Sequence, residues 1–299
     1  MPGPWPDGPE AAERLWALTD LCETSAIDSL WLSERLLGPT LEPLTALAAV
    51  AARTARLKLG TGVLVLPFRS PLLAAKALAT LDLLSKGRVF PAVGVGVDQP
   101  REWEAAGVPP GSRGVRTDEA IEVIRRLWLE DEVTYKGSYF TLERVRLVPK
   151  SAVPPPLWVG GASEPALRRA GRLSDGWLAS FIAPEAFGRA VARIHGHAAA
   201  AGRTIEWDHF GAIISFVLAP SPAEGWRAAE PYLPRERADE ITLRAVTAVG
   251  PPEAVAATIE RYVAQGARKF VLRPTGPPAA MLEQLAQLAE EVIPAFHAR

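Results

Sequence analysis

The hydrophobic and polar positions of this chain follow two periods in turn. Residues Glu10 to Thr24 place Leu15, Leu18 and Cys22 on one face of a helix, and residues 42 to 55 are rich in alanine and leucine. Both patterns predict helices. Short apolar runs at residues 28 to 33 and 56 to 67 lie between the helical segments, and such continuous runs are typical of buried parallel strands.

The same alternation continues to the end of the chain. Strands are predicted near residues 30, 62, 92, 159, 178, 214 and 270, and further helices at 70–84, 116–129, 163–173, 184–201, 252–265 and 278–296. Parallel strands joined by helical crossovers define an α/β protein. Seven strands are one fewer than a TIM (β/α)8 barrel needs. The first helix begins almost at Met1, so the first strand is missing, or residues 2 to 6 fill its place irregularly; an open doubly wound sheet is the structural alternative.

Residues 98 to 150 depart from the repeat. A polar loop is followed by a helix, and residues 132 to 149 alternate in period two around Lys136 and Gly137, as a hairpin does. We therefore predict one barrel domain over residues 1–299, with an insertion at about 98–150 after the fourth strand.

Composition narrows the possible partners. The chain has 33 basic and 34 acidic residues without a clustered basic face, which argues against a nucleic-acid partner. Its apolar runs are shorter than the ~20 residues that span a bilayer. The first residues do not show a basic segment followed by an apolar one, which is the pattern of a secretory signal peptide. We expect a cytoplasmic protein that has no membrane partner.

Residue types that would mark metal or nucleophile chemistry are sparse. The single cysteine, Cys22, lies on a helical face and is expected in the core, and the four histidines lack metal-ligand spacing. We expect no metal. The nucleophile-elbow and phosphate-loop motifs are absent as well.

The strand at residues 56–67 contains two unusual glycines. Gly60 and Gly62 interrupt a run that otherwise carries large apolar side chains. A glycine inside a strand marks a bulge, or a close approach by a ligand or by another backbone. Tight packing against a neighbour is the alternative reading.

Several stretches together resemble one protein family. They are DSLWLSER (28–35), TLEPLTALAAVAARTARLKLGTGVLVLP (40–67), LLAAKALATLDLLSKGRV (72–89), RTDEAIEVIRRLW (116–128) and PLWVGGASEPALRRAGRLSDGWLAS (156–180). In order and spacing they resemble the bacterial luciferase-like oxidoreductases, in particular the branch that uses coenzyme F420. The resemblance implies a (β/α)8 barrel with an insertion, hydride transfer between the deazaflavin and a small organic substrate, and a homodimer. An FMN-dependent monooxygenase is the first alternative, and a non-catalytic flavin-binding protein is the second.

The resemblance also implies where the cofactor binds. A bulged strand with a cis peptide between Gly62 and Val63, next to Thr61, would back the ring, and Gly94 and Gly96 would let the ring approach backbone. The phosphate would bind at the strand-to-helix junction formed by Gly160, Gly161, Ala162 and Ser163, where helix N-terminal amides carry partial positive charge. Taken alone, this junction reads as a turn with an N-cap.

At the reacting groups this chain departs from the family pattern. Many relatives have an acidic residue and a histidine after the strand DSLWLS, and here Glu34 and Arg35 occupy those positions. Arg35 cannot shuttle a proton near neutral pH, but it can hold an anion.

Substrate-binding candidates lie farther along the chain. Asp98 and Arg273 are expected on the active face, although a solvated carboxylate at 98 and a barrel-closing salt bridge at 273 are the alternatives. Val97 stands where a sugar-phosphate dehydrogenase branch has a catalytic glutamate, which disfavours that substrate class.

Overall fold

A computed structural model describes residues 4–109 and 111–297. The strands are β1 (Ser29–Leu32), β2 (Lys58–Val65), β3 (Val89–Gly94), β4 (Val133–Lys136), β5 (Thr141–Val145), β6 (Trp158–Gly160), β7 (Gly176–Ser180), β8 (Phe210–Leu218), β9 (Thr247–Gly250) and β10 (Lys269–Pro274).

Helices connect most of these strands. They are α1 (Glu10–Thr24), α2 (Pro43–Arg53), α3 (Pro71–Ser85), α4 (Pro100–Ala105), α5 (Arg113–Leu129), α6 (Glu164–Leu173), α7 (Pro184–Ala200), α8 (Pro222–Ala229), α9 (Glu240–Ala245), α10 (Pro252–Ala264), α11 (Met281–Glu291) and α12 (Pro294–His297). Across residues 4–109 and 111–297, no helix is both long enough and apolar enough to cross a membrane.

Seven parallel strands form a nearly closed barrel. Their order is β1, β2, β3, β6, β7, β8 and β10, and the short β9 pairs with the end of β8. The order in space follows the order in the chain, whereas an open doubly wound sheet reverses it at a switch point. The predicted α/β barrel is therefore confirmed, and the open sheet is wrong.

The barrel is interrupted between its first and last strands. Within the described residues, β1 pairs with β2 alone and β10 pairs with β8 alone. An apolar cavity of about 720 Å³ lies at this gap, lined in part by Leu18 and Cys22 of α1 and by Leu285 and Leu288 of α11. Residues 4–6 form no strand there, since the Trp5 N–H donates to Pro39 O at 3.0 Å; residues 1–3 lie outside the described part of the chain.

Two apolar layers stabilise the barrel. Inside it, side chains from five strands pack together, namely Trp31, Ala92, Trp158, Leu178 and Val271. Outside it, a larger core fills the space between strands and helices, and Leu47, Leu59, Leu78 and Phe216 are among its fully buried members. Successive strand residues point to opposite faces, so a single apolar run supplies both layers.

Residues 98 to 150 lie between β3 and β6. They contain α4, α5 and the antiparallel pair β4 and β5, in which Lys136 is opposite Thr141. The predicted hairpin is confirmed.

Three local predictions need correction. The strand β9 lies between residues 219 and 252, where no strand was predicted. The closing helix expected at 278–296 is divided, because Pro294 lacks the N–H that would continue α11. The helix predicted at 70–84 is Pro71–Ser85, and Ser70 precedes it as the N-cap residue without making a side-chain capping hydrogen bond.

Candidate active site

The carboxyl ends of the parallel strands meet at one rim of the barrel, which is where barrel enzymes place their reactive groups. Most sequence-predicted site residues lie at this rim. Val63 belongs to β2, Gly94 ends β3, Gly160 ends β6, and Arg273 lies near the end of β10. Glu34 and Arg35 follow β1 directly.

Val63 occupies the centre of a three-strand contact. The peptide bond Gly62–Val63 is cis, and the pairing of β2 with β3 shifts register between Gly62 and Leu64, so the expected bulge is present. A Cβ added at Gly160 would lie 2.5 Å from Val63 Cγ1, and one added at Gly94 would lie 2.9 Å from Val63 Cγ2. The two glycines therefore make room for the Val63 side chain at the rim.

The remaining glycines and Thr61 have more local contacts. A Cβ at Gly60 would lie 2.1 Å from the Trp31 ring, so Gly60 serves packing inside the barrel. Gly96 has a φ of +75°, and a Cβ there would lie 2.8 Å from Trp103. The buried Thr61 hydroxyl donates to Ala92 O at 2.8 Å, which ties β2 to β3.

The junction between β6 and α6 presents unpaired donors. In the described chain, the amides of Ala162, Ser163 and Glu164 donate to no backbone or side-chain acceptor, and the Ser163 hydroxyl makes no hydrogen bond. Gly161 has a φ of +104°, and its carbonyl accepts the Trp177 Nε1–H at 2.7 Å, which fixes the turn. These donors at a helix N-terminus suit a phosphate group.

The charged side chains on α6 are directed elsewhere. The Glu164 carboxylate pairs with Arg193, and with His197 Nε2 at 2.9 Å. The buried Arg169 pairs with Asp118 and also donates to Gly114 O at 3.2 Å. Arg168 is exposed. The fixed donors of the junction are therefore backbone amides and one hydroxyl.

Glu34 is buried and fully engaged. Its carboxylate accepts the Val65 N–H at 2.6 Å and pairs with Arg69 Nη1 at 2.5 Å. Burial raises the pKa of Glu34, and the Arg69 charge opposes this shift. The carboxylate joins the end of β1 to the end of β2. Arg69, which also pairs with Glu42 at 2.5 Å, was not predicted from the sequence because charge partners distant in the chain leave no local pattern.

Arg35 is held at the rim by a residue that the sequence analysis missed. Its Nε donates to Glu102 Oε1 at 3.0 Å, and the Leu37 N–H donates to the same oxygen at 3.3 Å. Glu102 lies on α4, and only 4% of its surface is exposed. The Arg35 side chain is 30% exposed, so part of its guanidinium still faces solvent.

The two substrate-binding candidates differ in their environment. The Asp98 side chain is 86% exposed and lies 3.3 Å from Arg113 Nη2, at the edge of the site. Arg273 donates to Ser215 Oγ from Nη2 at 2.7 Å and from Nε at 3.2 Å. No carboxylate of residues 4–109 or 111–297 pairs with Arg273, so the alternative salt bridge is not formed there.

Metal ligation finds no support among the residues described. No group of three histidine, cysteine, aspartate or glutamate side chains in that part of the chain could hold a metal ion. Cys22 is buried, and burial raises the pKa of its thiol to about 11. A protonated thiol in the core is a poor ligand and a poor nucleophile.

Comparison with known proteins agrees with this geometry. Residues 2–269 match the luciferase-like monooxygenase family. An uncharacterized protein of Mycobacterium tuberculosis (strain ATCC 25618 / H37Rv) is 37% identical over 56% of this chain and 57% of its own length, so the match spans little more than half of that relative. The F420-dependent glucose-6-phosphate dehydrogenase of Amycolatopsis mediterranei (strain U-32) is 30% identical over 92% of both chains.

Solved structures share the fold over nearly the whole chain. The monooxygenase RslO1 from Streptomyces bottropensis is 25% identical, with a TM-score of 0.82 over 96% of this chain and 94% of that one. The oxygenating constituent of 3,6-diketocamphane monooxygenase of Pseudomonas putida, in complex with FMN, is 18% identical, with a TM-score of 0.80 over 98% and 95%. At that identity the second likeness shows the fold alone. The chain belongs to the luciferase-like monooxygenase family.

Proposed function

We propose that this enzyme transfers a hydride between coenzyme F420 and a small organic substrate. The observation that carries the proposal is the set of free donors at Ala162, Ser163 and Glu164, on the same rim as the Val63 bulge. A relative that is F420-dependent by name and matches 92% of the chain supports the choice of cofactor. A deazaflavin or flavin supplies a ring carbon or nitrogen that accepts or releases a hydride.

The protein contributes binding and orientation. The amides of Ala162, Ser163 and Glu164, with the Ser163 hydroxyl, would hold the cofactor phosphate without a charged side chain. Val63, fixed between Gly94 and Gly160, would form the surface behind the ring, and Gly96 would keep the adjoining backbone free of side chains. Rigid positioning of two reactants supplies much of the rate in such a reaction.

Glu34 and Arg35, which lie just after β1, are not suited to proton transfer. The Glu34 carboxylate already binds the Val65 N–H and Arg69, and the Arg35 guanidinium stays charged at neutral pH. In this proposal Glu34 sets the position of the loop, and Arg35 contacts the substrate or the cofactor as a fixed cation. Asp98 contributes at most a solvated charge at the edge.

An FMN-dependent monooxygenase is the second candidate. It is supported by the similarity to RslO1 at 25% identity. The two cofactors differ at the ring position that makes reduced flavin react with oxygen, so oxygen consumption separates the two candidates.

Equilibrium titration with F420 and, separately, with FMN tests the proposal. We expect F420 to bind more tightly than FMN, and the bound deazaflavin to change its absorbance when a substrate reduces it. Tighter FMN binding together with substrate-dependent oxygen uptake would replace the proposal with the monooxygenase. A bound cofactor that no donor reduces would favour the non-catalytic binder. We also propose that the enzyme is a homodimer, which light scattering on the purified protein tests.

A further inference from the structure

Arg273 is a half-buried cation that forms no ion pair with a carboxylate of the described chain. It lies two residues after Val271 on β10, and Val271 packs inside the barrel, so the Arg273 side chain belongs to the same inward face. Its hydrogen bonds go to the neutral Ser215 hydroxyl alone. Burial, and then the charge of Arg237, lower the pKa of Arg273 to about 10, and the charge of Glu236 opposes this shift.

A second arginine shares its surroundings. The Arg237 guanidinium lies 5.2 Å from the centre of the Phe181 ring, and the Arg273 guanidinium lies 5.7 Å from the centre of the same ring. Within the described residues, Arg237 forms no ion pair either. By contrast, its neighbours Arg235 and Arg244 pair with Glu230 at 3.2 Å and with Glu240 at 3.0 Å.

Phe181 is positioned in a way that side chains rarely adopt. It directly follows β7, and its φ of +54° lies in the left-handed region, which a residue with a Cβ rarely adopts. Both guanidinium groups lie within about 6 Å of the ring centre, the distance at which an aromatic face attracts a cation. This attraction offsets part of the repulsion between the two cations, while a negative charge between them would offset more.

The two-arginine site is distinct from the phosphate-binding junction. The junction follows β6, whereas Ser215 lies on β8 and Arg273 lies on β10. In the barrel, β7 separates β6 from β8. Arg273 lies near the carboxyl end of β10 on its inward face, and Phe181 directly follows the carboxyl end of β7. The two-arginine site therefore lies at the rim of the barrel where barrel enzymes bind their substrates.

We propose that Arg237 and Arg273, aligned by Phe181 and Ser215, bind an oxyanion of the substrate, a carboxylate or a phosphate. This inference deepens the proposed function and rests on it for the identity of the ligand as a substrate. Guanidinium groups match the planar or tetrahedral arrangement of such oxygens and can bind them with paired hydrogen bonds. The substrate class is then a small anionic organic molecule.

Binding of simple anions to the apoprotein tests the site without any cofactor. Titration calorimetry would use inorganic phosphate and, separately, acetate, in a Ser163→Asp background that repels phosphate from the junction. We expect Arg273→Met and Arg237→Met each to reduce the affinity for the more tightly bound anion about 10- to 100-fold, which is the range for loss of a hydrogen bond to a charged group. Arg235→Met is the matched control, since it removes a nearby arginine that has its own carboxylate partner.

Each outcome bears on the site directly. Unchanged affinity in either variant, or an equal loss in Arg235→Met, would overturn the proposal. If Arg273→Met fails to fold, Arg273→Lys keeps the charge, and it should still lose at least about tenfold because the paired geometry is gone. Tighter phosphate binding indicates a phosphorylated substrate, and tighter acetate binding a carboxylic acid.

The same variants separate this inference from the proposed function. Titration with F420 and FMN should give affinities within about threefold of the wild type, because the two arginines lie away from the junction. A protein that binds the anions at the two arginines but binds neither cofactor would contradict the proposed function while leaving the anion site intact. A protein that binds F420 but not the anions would contradict the anion site while leaving the proposed function intact.

Discussion

Substitution of Gly160 by alanine would test the contact at the centre of the site. The new Cβ would lie 2.5 Å from Val63 Cγ1, whereas ordinary contacts begin near 3.4 Å, so Val63 must move by about 1 Å. The φ of Gly160 is not in the left-handed region, so the expected cost comes from crowding alone. Overpacking of this kind destabilises a protein by about 1–3 kcal/mol.

A second substitution in Val63 isolates the cause. Val63→Ala removes two methyl groups from a partly buried site, which costs about 1.6 kcal/mol at about 0.8 kcal/mol for each group. The Gly160→Ala, Val63→Ala double variant no longer has the close contact. We therefore expect it to be more stable than the sum of the single changes predicts, by about 1–2 kcal/mol.

Urea denaturation of the four proteins measures these free energies. Gly196→Ala is the matched control, because Gly196 lies within α7 and a Cβ there would meet nothing within 4 Å. That control should be stabilised by about 0.5–1 kcal/mol, as expected for alanine in a helix interior. A Gly160→Ala protein as stable as the control, or additive energies in the double variant, would refute the proposed role of Gly160 as space for Val63.

Three further predictions concern individual side chains. Ser163→Asp should weaken binding of the preferred cofactor at least about tenfold, since a carboxylate at the junction repels phosphate. Ser138→Asp, which adds the same charge at an exposed position, is the control in the same fluorescence titration. Equal cofactor affinities of the two variants would contradict the phosphate assignment. Burial raises the pKa of the Cys22 thiol to about 11. Cys22 should therefore resist a disulfide reagent at pH 8 in the native protein and react fully in urea. Rapid labelling of the native protein would instead show that the cavity at the barrel gap admits the reagent. Burial raises the pKa of Glu34 above its ordinary 4.5, so its contribution to stability is complete below that pH and is lost as the pH rises through the folded-state value. In urea titrations the wild type should therefore lose stability relative to Glu34→Gln as the pH rises above 4.5, and a stability difference that does not change with pH would contradict the raised pKa.

Much of the architecture followed from local pattern. The seven barrel strands, the hairpin of β4 and β5, and most helices were predicted because strand and helix periodicity depends on neighbours a few residues apart. Two elements were not predicted correctly, β9 and the end of α11, and each has a local cause. The strand β9 has only four residues, which are too few to show a period. The end of α11 depends on the missing N–H of Pro294.

The site depended on contacts that are distant in the chain. The glycines of β2 stood out in the sequence, but the sequence did not show what they face. In the structure Gly60 faces the Trp31 ring on β1, and Gly160 on β6 faces the Val63 side chain on β2. Glu102, Arg69 and Ser215 acquire their roles from partners at least 27 residues away, and no sequence period records such pairs.

The sequence by itself determined the order of strands and helices, the seven-strand barrel and the family resemblance, because each of these is written in short-range pattern. Only the tertiary structure decided which charges are paired. Arg35, Arg69 and Arg273 look alike in sequence, but the first two face carboxylates and the third faces a hydroxyl and a second arginine. The reason is physical: the free energy of a buried charge depends on what surrounds it in space, and folding assembles those surroundings from remote segments.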